Sequence, residues 1–173
     1  AKSDLVLSMS EEYLNRLLNL TIQSNLWNES LEKNHLALGP KGAFVVFDKR
    51  TQTPELYLDV LYMGSGKGAE KMFINENRPL RFPLRISATL DFTDVDGIPH
   101  MVIKTKSVLS DVNEIVNGIP EYELPSRLIR GFRKKVAKMI LEMSAEIEGQ
   151  TAVDLDLPVL KNIDLDKSWH EVS

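Results

Sequence analysis

The sequence predicts an α+β domain in which two amphipathic helices pack on an antiparallel sheet. Three observations carry this. Apolar residues recur at steps of three and four near the N-terminus and again between Pro125 and Gly149, the period of a helix with one apolar face. Between these stretches, and again after Gly149, apolar and polar residues alternate, the period of a half-buried strand. The strand-like stretches follow one another without regular helices between them, which argues against a parallel βαβ fold.

The 173 residues are expected to form a single domain over 1–173, which leaves open that it belongs to a longer chain. A chain of this length buries roughly 70% of its unfolded surface, enough for a proper core. Its net charge of -4 makes nucleic acid a poor partner, because neutralising phosphates supplies most of that affinity. The absence of cysteine excludes disulfides, thiolate nucleophiles and cysteine metal sites. No apolar run approaches the roughly 20 residues that span a bilayer. The chain begins at Ala1 and reads as a mature or trimmed product, so the expected location is periplasmic or extracellular rather than cytoplasmic.

Leu5-Val6-Leu7 reads as a short strand. Ser8 and Glu11 have capping-box spacing for the helix that follows. Leu14, Leu17, Leu18, Ile22 and Leu26 share one face of that helix, while Asn15, Arg16, Asn19 and Gln23 make the other side polar. Residues 28–42 hold two glycines and a proline and read as a loop, with room for a short strand at Leu36–Leu38. Ala43–Asp48 and Glu55–Met63 read as strands, the second with Leu56, Leu58, Val60 and Tyr62 on one face. From Leu84 to Phe92 alternation is strict, with Leu84, Ile86, Ala88, Leu90 and Phe92 on the apolar side. Asp94-Val95-Asp96-Gly97 supplies turn chemistry, and His100–Leu109 returns as the next strand. Residues 110–124 are ambiguous, with one helical turn suggested by Val112, Ile115 and Val116. Pro125 suits the start of a long helix that Gly149 closes. Its stripe is Leu128, Ile129, Phe132, Val136, Met139, Ile140, Met143 and Ile147. Val153–Leu160 alternates again, and Ile163 and Leu165 extend the pattern.

No catalytic signature emerges. Gly64-Ser65-Gly66-Lys67-Gly68 follows a strand, but it lacks the spacing of a phosphate loop and its magnesium hydroxyl, so it reads as a turn. Asp91, Asp94 and Asp96 cluster as in a calcium loop, yet the position six past Gly97 is Ile103, which cannot ligate. His35, His100 and His170 have no partner at zinc spacing, and no serine sits in a nucleophile elbow. Neither a metal nor a cofactor is therefore expected. Arg127, Arg130, Arg133, Lys134, Lys135 and Lys138 would give the long helix a basic side. A solvated outer face is the preferred reading over a membrane-surface contact.

Three segments together carry a resemblance. They are Leu5-Val-Leu-Ser-Met-Ser-Glu-Glu-Tyr-Leu-Asn-Arg-Leu-Leu, the helix from Pro125, and Val153-Asp-Leu-Asp-Leu-Pro-Val-Leu-Lys-Asn-Ile-Asp-Leu. Their order resembles the tubular lipid-binding superfamily, which includes the bactericidal/permeability-increasing-like proteins. The Ser-x-x-x-Leu-Asn opening is also similar to that of some bacterial lipoproteins. The resemblance implies a strongly curved antiparallel sheet around a long helix, with lipid chains between them.

On that expectation the chain binds a lipid or other apolar ligand without catalysis. The ligand-lining residues would be Leu14, Leu18 and Ile22 from the first helix, and Ile86, Leu90 and Phe92 from the sheet. Phe132, Val136, Met139, Ile140 and Met143 would line it from the second helix. Methionines adapt to irregular apolar shapes. The same residues would also build a solid core, the fold of a protein-interaction or scaffold domain. An enzyme with dispersed carboxylates is the third reading, since such pairs need no sequence motif.

Overall fold

The computed structural model describes residues 15, 16, 19, 28–47, 50, 53–119 and 124–156. The expected strand at Leu5–Leu7 and the tail beyond residue 156 lie outside them, as do the apolar positions Leu14, Leu18 and Ile22. In chain order the elements are α1 (Asn28–Lys33), β1 (Leu36–Phe47), β2 (Pro54–Tyr62), a 3-10 turn (Ala69–Met72), β3 (Leu80–Arg81), β4 (Leu84–Val95), β5 (Ile98–Val108), α2 (Val112–Val116), α3 (Ser126–Ile147) and β6 (Thr151–Asp156). Asn15, Arg16 and Asn19 are also helical. The strands form one curled antiparallel sheet, a half-barrel, in the order β1-β2-β4-β5-β6. The fold is α+β.

Alternation decides which face is inward. On β2, Leu56, Leu58, Val60 and Tyr62 are buried, as their spacing predicts. On β4, Leu84, Ile86 and Ala88 are buried, and Leu90 and Phe92 pack against the same core while half-buried. The β4–β5 hairpin closes at Asp96-Gly97, with φ of 52° and 81°. Two consecutive positive φ values define a type I′ turn, whose twist matches that of paired strands.

Two regions depart from the sequence reading. Residues 28–42 do not form a loop. They hold α1, whose Leu31 is buried, and then join the two expected strand pieces into one twelve-residue strand. The join is an irregularity between Leu38 and Ala43. There the Lys41 N–H donates to Asp59 Oδ2 at 3.1 Å, which satisfies a donor that the ladder leaves out. β3 is the second departure. It pairs with β2 in the same register as β4, and the Phe82 N–H donates to the Val60 carbonyl at 2.7 Å. β3 and β4 thus form one long strand interrupted at Phe82-Pro83, where proline has no donor for the ladder.

The polar side of the first helix has a task that periodicity does not reveal. Asn19 Oδ1 accepts the Ala43 N–H at 2.6 Å, and Asn15 Oδ1 accepts the Val45 N–H. Four residues along a helix rise about 6 Å, and two residues along a strand span about 6.7 Å. An i, i+4 asparagine pair therefore matches alternate donors on an open edge, groups that would otherwise invite another strand. Gly42 permits the approach, since a Cβ there would lie 2.3 Å from Asn19 Oδ1.

α3 is anchored to β5 near its C-terminal end. The Val108 N–H donates to Ser144 Oγ at 2.9 Å. Thr105, 1% exposed, donates its hydroxyl to the Ile147 and Gln150 carbonyls. The Ile147 carbonyl is among the last four of the helix, which have no intrahelical partner. Thr105→Val keeps the shape and removes this donor. A loss of about 0.5–1.5 kcal/mol is expected by chemical denaturation, the net worth of one hydrogen bond, because both carbonyls keep a backbone N–H donor. α1 contributes a second tie, with Ser30 and Lys33 donating to Glu146 at 2.7 and 2.8 Å. The Lys33 contact holds the Glu146 carboxyl below its ordinary pKa.

Candidate functional site

A cavity of about 300 Å³ lies between the loop after β2 and the first half of α3. Its apolar wall is Leu124, Leu128 and Phe132, and Ser65, Lys67, Glu70, Arg127 and Lys135 supply the polar groups. Each side has a local cause. On α3, Arg127, Gly131 and Lys135 recur every four residues, and Leu128 and Phe132 run beside them, so one stripe of the helix faces the cavity. Gly131 widens the space, since a Cβ there would meet nothing within 4 Å. On the loop, Gly64 has φ 79°, and a Cβ would lie 2.5 Å from the Ile74 carbonyl oxygen. Only glycine fits that approach, which folds the loop back so that Ser65 reaches Glu70.

The floor is a network centred on Glu70. The Tyr62 hydroxyl donates to Glu70 Oε2 at 3.1 Å, Ser65 Oγ donates at 3.2 Å, and Lys135 Nζ donates at 3.1 Å. Lys135 Nζ also lies 5.2 Å from the Tyr62 ring centroid, within cation–π range. Tyr62 is fully buried. Burial pushes its hydroxyl above the ordinary tyrosine pKa, with the Lys135 interaction opposing. Burial works against the Lys135 ammonium, but its interactions with Tyr62 and Glu70 outweigh that and raise its pKa. Around neutral pH the tyrosine is therefore neutral and the lysine charged.

The eight described ligand-lining candidates gather in one apolar cluster. Ile86, Phe132, Val136, Met139 and Met143 are buried, and Leu90, Phe92 and Ile140 are half-buried against them. Of these, Phe132 alone lines the cavity. It joins the two regions, with its ring 5.7 Å from that of Tyr62. The basic side of α3 is mostly outward, as expected, with Arg127, Arg130, Lys134 and Lys138 exposed. Lys135 and Arg133 are the exceptions: Lys135 turns onto Glu70 and Tyr62, and the half-buried Arg133 donates to Asn113 Oδ1 at 2.8 Å. The sequence reading places Arg127 and Lys135 on a solvated face and does not single out Gly131, although their four-residue spacing is a local signal for one helical stripe. The pairing of that stripe with Ser65, Lys67 and Glu70 has no such signal.

Two other depressions, of about 260 and 410 Å³, lie beside Arg78–Leu80 and between Leu80 and Ile115. Neither contains a comparable polar network. Among the described residues, no group of three or more His, Asp or Glu is gathered to hold a metal ion. No described helix is long and apolar enough to cross a membrane.

The fold and site together define a class: a curled antiparallel half-barrel with a few helices and a polar-floored cavity beside the longest of them. Comparison with protein-family models, with curated proteins and with solved structures returned no match.

Proposed function

We propose that this protein binds a lipid or similar amphiphile between α3 and the curled sheet, without catalysis. The observation that carries this reading is the cavity, whose apolar wall includes Phe132, a residue that also packs in the core cluster with Met139 and Met143. The head of the ligand sits in the cavity. Its alkyl chain passes Phe132 and lies along Val136, Met139, Ile140 and Met143 against the sheet. There, unbranched methionines yield space more readily than branched side chains.

Gly131 provides the test. Gly131→Leu places a side chain in open cavity space and replaces a residue that costs a helix interior about 1 kcal/mol relative to good helix formers. Native mass spectrometry of the gently purified protein, before and after solvent extraction, is expected to show a bound mass in the lipid range. The variant is expected to melt no lower than the parent and to carry no such mass. A parent that stays bare, and takes up neither fatty acid nor phospholipid, overturns the reading.

One observation favours a protein-docking domain as the second reading. On the outer face of the sheet, Phe44 and Tyr57 stack with centroids 5.0 Å apart, and Phe44 and Val46 stay exposed. A bare parent mass would move the function to that face.

A further inference from the structure

Lys67 and Arg127 have no side-chain partner among the described residues, although both line the cavity. Their surroundings differ from those of an ordinary charged surface in two ways. First, the chain carries a net charge of -4, yet among the described residues that line this cavity three cations face the single carboxylate of Glu70. Second, the charge of that carboxylate is already balanced by Lys135, which donates to it at 3.1 Å. The floor is closed and internally balanced, and two cations are left over at the rim beside an apolar wall.

We infer that the cavity selects an amphiphile with an oxyanion head, a phosphate or a carboxylate, received by Lys67 and Arg127. The inference rests on the binding reading above and adds the chemistry of the head group. A guanidinium offers a planar pair of donors that matches two oxygens of such a head, and an ammonium adds a point charge. Lys135 is a positioning residue in this scheme. It is held on Glu70 and contributes field rather than a free donor. A cationic head would meet two uncompensated like charges, and a neutral polar head would leave them without a counter-charge.

The test compares three probes by titration calorimetry at low salt: dodecyl phosphate, monolauroylglycerol and inorganic phosphate. The first two share a twelve-carbon chain and differ in head charge. Dodecyl phosphate is expected to bind about tenfold more tightly than monolauroylglycerol, the scale of two partly exposed charge contacts. The margin should shrink as salt is added. The double variant Lys67→Gln/Arg127→Gln changes only exposed side chains and is expected to keep the parent melting temperature. It should lose the preference, so that dodecyl phosphate and monolauroylglycerol bind alike. Equal binding of both amphiphiles by the parent, or an unchanged preference in the double variant, overturns the inference and leaves the binding reading intact. No binding of either amphiphile overturns the binding reading and with it the inference. Inorganic phosphate binding as tightly as dodecyl phosphate would show a free-anion site, which keeps the oxyanion chemistry and removes the lipid.

Discussion

Truncating Phe132 to alanine is expected to destabilise the protein by about 3 kcal/mol, the lower end of the range for removing a buried ring. The ring is 4% exposed and packs on Tyr62 at an interplanar angle of 46°, so its loss removes both buried apolar area and an aromatic pair. The effect falls at the lower end because the new space merges with a cavity that already reaches solvent, so no sealed void has to be maintained. Urea denaturation checks this through a lower midpoint at an unchanged slope. A loss below about 1 kcal/mol would show that the ring does not hold α3 to the sheet. Paired with Gly131→Leu, the experiment separates stability from binding. Leucine at 131 strengthens the helix and blocks the cavity, whereas alanine at 132 weakens the core and opens the passage.

The Glu70 network should make the fold sensitive to alkali. Tyr62 and Lys135 both have folded-state pKa values raised above their ordinary ones. A group with a raised folded pKa adds stability that is complete below its unfolded pKa and is lost as pH rises through the folded one. For a tyrosine and a lysine that window opens at about pH 10. The denaturation midpoint is therefore expected to be insensitive to this network between pH 7 and 9 and to fall above pH 10. Tyr62→Phe removes the tyrosine ionisation, so its alkaline fall should be shallower. Glu70→Ala acts at neutral pH instead. It strands the hydroxyl of a fully buried Tyr62 and removes the counter-charge of Lys135, at a cost of about 2 kcal/mol. Identical alkaline limbs for the parent and Tyr62→Phe would show that the tyrosine does not control this transition.

The sequence by itself determined whatever depends on a short-range period. Alternation along β2 and β4 identified the buried faces, and Asp96-Gly97 identified the hairpin. The three- and four-residue spacing from Leu128 to Ile147 identified α3 and its buried residues. In each case a few neighbouring positions carry the whole signal, because a strand repeats every two residues and a helix every 3.6. Tertiary structure decided the rest. α1 is six residues long, too short to declare itself by period, and it is held by the burial of Leu31 and by Glu146 from α3, more than a hundred residues away. β1 runs across two glycines and a proline because Asp59 on the neighbouring strand takes up the stray Lys41 donor. Asn15 and Asn19 read as one more polar helix face until the edge of β1 is laid against them. The cavity follows the same rule. Its helical stripe is local, but Lys135 and Glu70 stand 65 residues apart in the chain. No sequence period connects two groups at that distance. They meet because the curled sheet and the glycine turn at 64 bring the loop to the helix.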